Sequence, residues 1–214
     1  MEQDRDDVTI LTWVVGPIQT SIYVVACPVK KEAVIIDAGG ETSTLLKAIE
    51  ENGWELKAIW QTHAHIDHVA GLNEAKAKTG APILLHRAEE PVYQSAVQQG
   101  LFFGIPTDPL PPVDQYVEDG EVVNVGDLQA QVLFLPGHSP GHVAFYFAEQ
   151  GLFFGGDVLF AGSVGRVDLP GSSPAQMRQS LARVKTLPED TKVLPGHGPA
   201  TTIGQEKQFN PFLR

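Results

Sequence analysis

One short stretch, Thr-His-Ala-His-Ile-Asp-His at 62–68, constrains the fold and the chemistry of this chain more than any other. It places three of the seven histidines, and one aspartate, within six positions. Any one of these residues alone is most simply a surface or helix-capping side chain. Imidazoles clustered without a cation, however, leave polar ring atoms with no partner, which costs free energy. The stretch therefore predicts a metal site.

The spacing of His63 and His65 predicts an extended backbone, because residues two apart lie about 200° apart around a helix but on one side of a strand. The apolar run at 56–61 predicts a strand just before the stretch. An apolar rhythm from Val69 to Lys78 predicts a helix that ends at Gly80, with Asp67 and His68 at its start. A strand end and a helix start therefore coincide at the histidines, and α/β sheets bind ligands at such ends.

Ligand-type residues recur where other predicted strands end. His138 lies in Pro-Gly-His-Ser-Pro-Gly-His at 136–142, Asp157 follows two glycines, and His197 lies between Gly196 and Gly198. The glycines before Asp157 predict close approach of the backbone to an ion. Asp37, at the end of a predicted strand, is either a turn residue or a side chain that hydrogen-bonds a ligand histidine. Together these strand ends predict one shared site.

The rest of the chain predicts alternating strands and helices. Apolar segments at 8–15, 21–27 and 32–37 predict an antiparallel meander, followed by a helix at 42–52. A strand at 82–86 and a helix at 88–99 follow the histidine stretch, and strands are predicted within 117–135 and at 143–148, 152–154 and 193–195. We interpret Cys27 as a core thiol and His86 as structural. The aromatic residues at 100–106 predict a lid, a pocket wall or packing against a helix.

Charge and cysteine content narrow the class of protein. The formal net charge is −11, with no basic run, which argues against nucleic acid and anionic membranes as partners. The single cysteine agrees with a reducing compartment. The acidic start at 1–7 lacks an apolar run long enough for a signal peptide or a membrane span, so we expect a cytoplasmic protein whose mature chain starts there. The oligomeric state stays open.

The ordered motifs resemble those of the metallo-β-lactamase superfamily from the first strand to the last histidine. The runs at 156–172 (GDVLFAGSVGRVDLPGS) and 195–213 (PGHGPATTIGQEKQFNPFL) are similar to single-domain glyoxalase II-like proteins of the hydroxyacylglutathione hydrolase type. The resemblance implies one α+β domain over 1–214. It also implies a four-layer α/β/β/α sandwich with the metal site at one edge.

The resemblance implies a ligand for each metal position. It implies two divalent metal ions, one held by His63, His65 and His138, a second held by Asp67, His68 and His197, and both bridged by Asp157. Zinc is the first expectation, and iron and manganese stay open because imidazole and carboxylate ligands suit all three. His142 would contact the ligands or line the pocket without binding a metal.

The implied activity is hydrolysis of a small-molecule acyl thioester, with glutathione as one candidate carrier. Two metals would activate a bound water as nucleophile, and Asp67 or Asp157 would handle the proton. Glyoxalase II enzymes carry a further C-terminal helical region with cationic contacts to glutathione. Here only Lys207 and Arg214 are cationic after His197, so we expect weak selectivity for glutathione. Arg166 is the best remaining anion contact, unless it pairs with Asp168.

Two other functions remain open from the sequence. Persulfide dioxygenases resemble the same pattern and use one iron, held by residues matching His63, His138 and Asp157. The presence of Asp67, His68 and His197 favours the two-metal hydrolase over that oxidoreductase. A metal-binding scaffold without catalysis is the third function, and it is disfavoured because a complete ligand set with an open position has little structural use.

Overall fold

The computed structural model describes residues 3–4 and 7–213. Most of the acidic start, at 1–2 and 5–6, and Arg214 lie outside the described residues. The strands are β1 (Gln3–Asp4), β2 (Thr9–Val15), β3 (Thr20–Cys27), β4 (Glu32–Ile36), β5 (Glu55–Trp60), β6 (Ile83–His86), β7 (Gln115–Val117), β8 (Val122–Val125), β9 (Leu128–Phe134), β10 (Val143–Phe147), β11 (Leu152–Gly156), β12 (Lys192–Pro195) and β13 (Thr201–Thr202). The helices are α1 (Ser43–Glu51), α2 (Ile66–Val69), α3 (Leu72–Thr79), α4 (Glu90–Gln94), α5 (Ala96–Phe103), α6 (Pro174–Val184) and α7 (Ile203–Phe209), with a 3-10 turn at Arg87–Glu89.

Two mixed sheets form the centre of the molecule. The first sheet has the order β1 to β7, and it is antiparallel up to β4 and parallel from β4 to β7. The second has the order β13-β12-β11-β10-β9-β8, with only the β11–β12 pair parallel. The predicted antiparallel meander of β2, β3 and β4 is confirmed.

Apolar side chains fill three layers of core. Between the sheets, Trp60 stacks on Phe147 with ring centroids 6.2 Å apart. Leu45 of α1 and Leu72 of α3 cover the outer face of the first sheet. Leu181 of α6 helps cover the outer face of the second sheet, together with α7. Because each sheet is buried on both faces, the architecture is the expected four-layer α/β/β/α sandwich.

Cys27 is a core thiol, as predicted. Its thiol is buried between the sheets and is not part of a disulfide. Within the described ranges, no helix has the length and apolar character needed to cross a membrane.

Two predicted helices differ from the structure in their limits. The helix predicted at 69–78 is divided into α2 and α3, which separate at Gly71. The backbone N–H of Gly71 donates to the carbonyl of Ala38 at 2.7 Å, so the 38–42 loop takes a hydrogen bond from the chain where the helix is interrupted. A Cβ atom at Gly71 would lie 2.7 Å from Thr42 Cγ2, so only glycine allows this close approach. The helix predicted at 88–99 is three short elements, and the last of them, α5, continues to Phe103 before Gly104 ends it with φ +71°.

Candidate metal centre

All seven predicted ligands lie together at one edge of the sandwich, just beyond the ends of β5, β9, β11 and β12. The side chains of His63, His68, His138 and Asp157 are buried, and those of His65, Asp67 and His197 are half-buried. His65 has φ −65° and ψ 146°, so the backbone at the two histidines is extended as their spacing predicts. The short helix α2 then turns Asp67 and His68 back toward the same edge.

The first group of candidate ligands consists of His63, His65 and His138. One nitrogen from each lies within 4.8 Å of the others, and His65 Nδ1 is 2.8 Å from His138 Nε2. Two of these residues come from one loop, and the third comes from the loop after β9, 73 positions away in sequence. Three neutral imidazoles converging on one point are a set of ligands suited to a divalent transition metal.

The second group consists of Asp67, His68 and His197, whose ligand atoms also lie within 4.8 Å of one another. His197 Nε2 is 3.2 Å from Asp67 Oδ2, and His68 Nε2 is 3.4 Å from the same oxygen. Thr20 Oγ1 donates to Asp67 Oδ2 at 2.8 Å, which orients the carboxylate. The group therefore offers two nitrogens and one carboxylate.

Asp157 lies between the two groups. Its Oδ1 is 3.4 Å from His68 Nε2, and its Oδ2 is 3.4 Å from both His138 Nε2 and His197 Nε2. One carboxylate therefore faces candidate ligands of both groups. This is the arrangement expected of a side chain that bridges two cations.

Hydrogen bonds to the outer ring nitrogens orient the histidines. His68 Nδ1 is 2.9 Å from Asp37 Oδ2, His63 Nδ1 is 3.0 Å from Thr62 Oγ1, and His138 Nδ1 donates to the carbonyl of Arg166 at 2.8 Å. When Nδ1 donates its proton outward, Nε2 carries the lone pair that a metal binds.

Three inner atoms of the cluster are buried and make no hydrogen bond within the described residues, although two of them, His68 Nε2 and Asp157 Oδ1, lie 3.4 Å apart. They are His63 Nε2, His68 Nε2 and Asp157 Oδ1. A buried polar atom without a hydrogen bond is costly, and these three belong to ligands of both groups. Gly196 keeps that space open, because a Cβ atom there would lie 2.7 Å from His68 Cε1 and would overlap Asp157 Oδ1. The donor set and the orphaned atoms fit divalent metal ions.

The second of the two glycines before Asp157 lies against buried side chains. A Cβ atom at Gly156 would lie 2.6 Å from Thr62 Oγ1 and 2.7 Å from His142 Nε2. The glycine, with φ +49°, therefore permits close packing against two buried side chains, and its approach to an ion stays a prediction.

The electrostatics of the two groups differ. Burial, reinforced by the charge of neighbouring histidines, lowers the pKa of His63, and it lowers the pKa of His65 to about 3. Burial also opposes the charged form of His197, but hydrogen bonds with Asp157 and Asp67 outweigh it and raise its pKa to about 9. For Asp67, burial raises the pKa, yet the charge of His68 and the hydrogen bond with His197 bring it below its usual range. The second group therefore favours positive charge at its centre.

Three further predicted residues have distinct surroundings. Asp37 is buried, has φ 60°, and accepts hydrogen bonds from Thr62 as well as contacting His68. His142 is fully buried and accepts from the backbone N–H of Asp157 at 3.0 Å, so it supports that ligand and does not line a pocket. Arg166 reaches the cleft but makes a bidentate pair with Asp168, at 2.7 and 2.9 Å.

His86 is structural, as predicted. It lies away from the cluster, and its Nδ1 caps the 3-10 turn by accepting from Ala88 N–H at 3.2 Å. Its ring stacks on Phe134 with centroids 4.4 Å apart.

Sequence reasoning missed Glu89. This carboxylate is fully buried and accepts from the backbone N–H of Ala64 at 3.0 Å and of Gly141 at 2.6 Å. Burial raises its pKa, and the two backbone donors counter that effect. Glu89 therefore ties the loop of His63 and His65 to the loop of His138. A glutamate at a helix start gives no local signal of this role, because its partners are remote in sequence.

The centre opens into a cleft of about 450 Å³. Apart from candidate ligands, its walls are mainly apolar and include Ile18, Phe103, Phe160, Val164 and Leu169. Phe103 is 37% exposed, so one aromatic of the 100–106 segment is a pocket wall, as one of the three interpretations had it. Leu101 and Phe102 remain exposed on the same helix.

Known proteins share this fold over most of the chain. The model of the metallo-beta-lactamase superfamily matches residues 15–197. Hydroxyacylglutathione hydrolase GloC of Haemophilus influenzae is 39% identical over 188 residues, covering 86% of this chain and 88% of that protein. The crystal structure of TTHA1623 in a di-iron-bound form has a TM-score of 0.87 and 42% identity, covering 95% of this chain and 100% of that one. The BLEG-1 B3 metallo-beta-lactamase has a TM-score of 0.88 and 36% identity, covering 95% and 99%.

Proposed function

The chain belongs to the metallo-beta-lactamase superfamily, and from this premise we propose that it is a dinuclear metal-dependent hydrolase that cleaves small-molecule thioesters. The observation that carries the proposal is the position of Asp157 between two complete groups of candidate ligands, with 3.4 Å contacts to His68, His138 and His197. One group alone would suffice for a single ion. The second group and the shared carboxylate support a pair.

His63, His65 and His138 would hold one ion, Asp67, His68 and His197 the other, and Asp157 both. Zinc is the first candidate, with iron and manganese next, and the di-iron-bound form of TTHA1623 gives support to iron. When bound, a pair of divalent cations lowers the pKa of a shared water and polarises a substrate carbonyl.

The protein's own groups would orient the site and handle the proton. Thr20 holds the carboxylate of Asp67 through a 2.8 Å hydrogen bond, and Asp37 holds the ring of His68. Despite burial, the pKa of Asp67 and that of Asp157 lie below their usual range because of the charge on His68 and the hydrogen bonds with His197. Both carboxylates are therefore ionised near neutral pH, which is the form required of a metal ligand and of a group that would take up a proton.

The kind of acyl bond is inferred from relatives and from the cleft. GloC, named for hydroxyacylglutathione hydrolysis, is 39% identical to this chain. The apolar wall formed by Ile18, Phe160 and Val164 suits the carbon groups that flank a thioester. Arg166 is the one Arg or Lys side chain that lines the cleft among the described residues, and it is paired with Asp168. We therefore expect modest selectivity for glutathione as carrier and a high KM for its thioesters.

The decisive experiment combines metal analysis with parallel assays on protein loaded with zinc, iron or manganese. We expect release of one thiol per thioester consumed, a rate that rises with pH through a limb near ~7, and full activity without oxygen. His197→Ala is expected to abolish most of this activity. His86→Asn is the matched control, because it changes a histidine outside the centre and keeps an acceptor for the Ala88 N–H. This variant is expected to retain activity.

Two outcomes would overturn the proposal. The first is oxygen uptake with glutathione persulfide in the iron-loaded protein, without any thioester cleavage. Asp67→Ala and His197→Ala would then change the rate of oxygen uptake very little, which is the pattern of a single-iron dioxygenase. The second is cleavage of a chromogenic β-lactam with no cleavage of any thioester.

A further inference from the structure

A second cavity of about 360 Å³ adjoins the metal cleft. The two cavities share the side chains of His65, Phe103 and Leu169, so a molecule bound at the metals can extend into the second cavity. We call this second cavity the side pocket. It lies between helices α4 and α5 and the loops at 140 and 169–171.

The described residues that line the side pocket carry no Asp, Glu, Lys or Arg. Its apolar wall comes from Val92, Phe103, Leu169 and three prolines, at 91, 140 and 170. Prolines have a fixed φ angle and no N–H donor, so these walls are stiff and offer few polar contacts. The lining therefore favours an uncharged, apolar occupant.

Apart from His65, which is a candidate metal ligand, two neutral polar side chains line the side pocket, and both already have partners. Gln99 Oε1 accepts from Ile66 N–H at 3.0 Å, and its Nε2 donates to the carbonyl of Val92 at 2.8 Å. Ser95 Oγ also donates to the Val92 carbonyl, at 2.8 Å, and accepts from Gln99 Nε2 at 3.0 Å. These groups hold the helices against the ligand loop, so they favour no polar ligand in the pocket.

We propose that the side pocket binds the acyl chain of the substrate, and that this hydrolase prefers thioesters of apolar acyl groups. The inference rests on the proposed thioester hydrolysis and specifies its substrate class. A thioester has two arms, and common thiol carriers are polar or charged near the sulfur. The acyl chain is the apolar arm, so it matches the side pocket, while the carrier is left toward the cleft rim with Arg166.

The test is a series of straight-chain acyl thioesters from acetyl to octanoyl, all on the small uncharged carrier N-acetylcysteamine. Each buried methylene is expected to raise kcat/KM about three- to fourfold until the chain leaves the pocket, after which the gain stops. Pro91 and Pro170 are exposed, so the pocket is open on its outer side and longer chains can emerge there.

Val92 variants test the location in both directions. Val92→Phe fills the pocket and is expected to lower the ratio of octanoyl to acetyl kcat/KM at least tenfold, whereas Val92→Ala shifts the optimum to longer chains. Val97→Phe is the matched control, because Val97 lines a different groove against the 109–113 segment and its variant should leave the ratio unchanged. Calorimetric binding of octanamide to the metal-loaded protein gives a readout that needs no turnover.

The outcomes separate the two proposals. Thioester cleavage with no dependence on chain length, or Val92 variants that change acetyl and octanoyl rates equally, would overturn the acyl-chain pocket and leave the hydrolase proposal intact. If the protein cleaves no thioester but binds octanamide, and Val92→Phe weakens that binding tenfold, the apolar pocket is supported and the proposed function is overturned. Absence of both thioester cleavage and octanamide binding would overturn the proposed function and the acyl-chain pocket.

Discussion

Asp37 Oδ2 lies 2.9 Å from His68 Nδ1, and both side chains are buried. The same carboxylate accepts hydrogen bonds from the backbone N–H and the hydroxyl of Thr62, at 2.7 and 2.8 Å. Asp37 therefore fixes the ring of a candidate ligand and the start of the ligand loop at once. The cost of its left-handed backbone, φ 60°, is offset by these contacts.

This relationship predicts unequal effects for two aspartates. Asp157→Ala should remove a ligand from both ions and abolish activity and most of the bound metal. Asp37→Ala should only loosen His68, with a loss of roughly 10–100-fold in metal affinity or rate. Metal content by mass spectrometry and residual thioester cleavage are the measurements. Equal metal contents and equal rates in the two variants would show that one assignment is wrong.

The two groups of candidate ligands predict about two divalent ions per chain. His197→Ala should lower the stoichiometry of the loaded protein toward one, because His63, His65 and His138 remain intact. His86→Asn should leave it unchanged. A stoichiometry near one in the fully loaded wild-type protein, unaffected by His197→Ala, would contradict the dinuclear assignment.

The buried carboxylate of Glu89 is expected to hold the two ligand loops together, so its replacement should affect both stability and metal binding. In Glu89→Gln, the side chain can offer its carbonyl oxygen to only one of the two N–H donors, Ala64 or Gly141. It turns an amide N–H₂ toward the other donor, which is left without an acceptor. We expect a loss of about 1–3 kcal/mol in the free energy of unfolding, together with weaker metal binding.

Glu90→Gln is the matched control for Glu89→Gln, because the Glu90 carboxylate accepts a hydrogen bond from the exposed side chain of Gln94 and not from either ligand loop. That variant should change the free energy of unfolding by less than about 0.5 kcal/mol. If the two variants unfold at the same urea concentration and bind metal equally, Glu89 does not hold the loops together.

Glu74 predicts a pH-dependent contribution to stability away from the metals. It accepts hydrogen bonds from Thr42, Ser43 and Lys78, and the Lys78 and Ser43 contacts, outweighing burial, lower its pKa from 4.5 to about 2. Because the folded state holds the lower pKa, the stabilisation is complete above about pH 4.5 and is lost as the pH falls toward 2. Glu74→Gln should therefore cost about 1 kcal/mol at pH 7 and progressively less below pH 4.5.

Urea unfolding between pH 7 and pH 3 measures this difference. Glu51→Gln, at an exposed carboxylate 3.5 Å from Lys47, serves as the control and should change stability little at any pH. A cost for Glu74→Gln that stays constant down to pH 3 would mean that packing, and not the ionised carboxylate, accounts for the effect.

The sequence alone predicted the strands that lead into the site and the identity of the candidate ligands, whereas α6 and α7 were not predicted. The spacing of His63 and His65 required an extended chain, and the recurrence of ligand-type residues at strand ends indicated that His138, Asp157 and His197 would converge. Apolar segments separated by turn residues at 16–17 and 28–31 predicted the meander of β2, β3 and β4. These signals are readable because they are local: each depends on side-chain periodicity or on a motif a few residues long.

Only the tertiary structure decided how the site is supported and where a substrate can lie. Glu89 meets Gly141 across 52 positions, and Gly156 packs against Thr62 and His142, contacts that no local pattern encodes. At Gly71, where the helix is interrupted, the 38–42 loop lies against the chain. The side pocket likewise exists only where α5 brings Phe103 beside Leu169 and His65. Such features depend on which distant surfaces come into contact, and that is set by packing of the whole sandwich rather than by neighbouring residues.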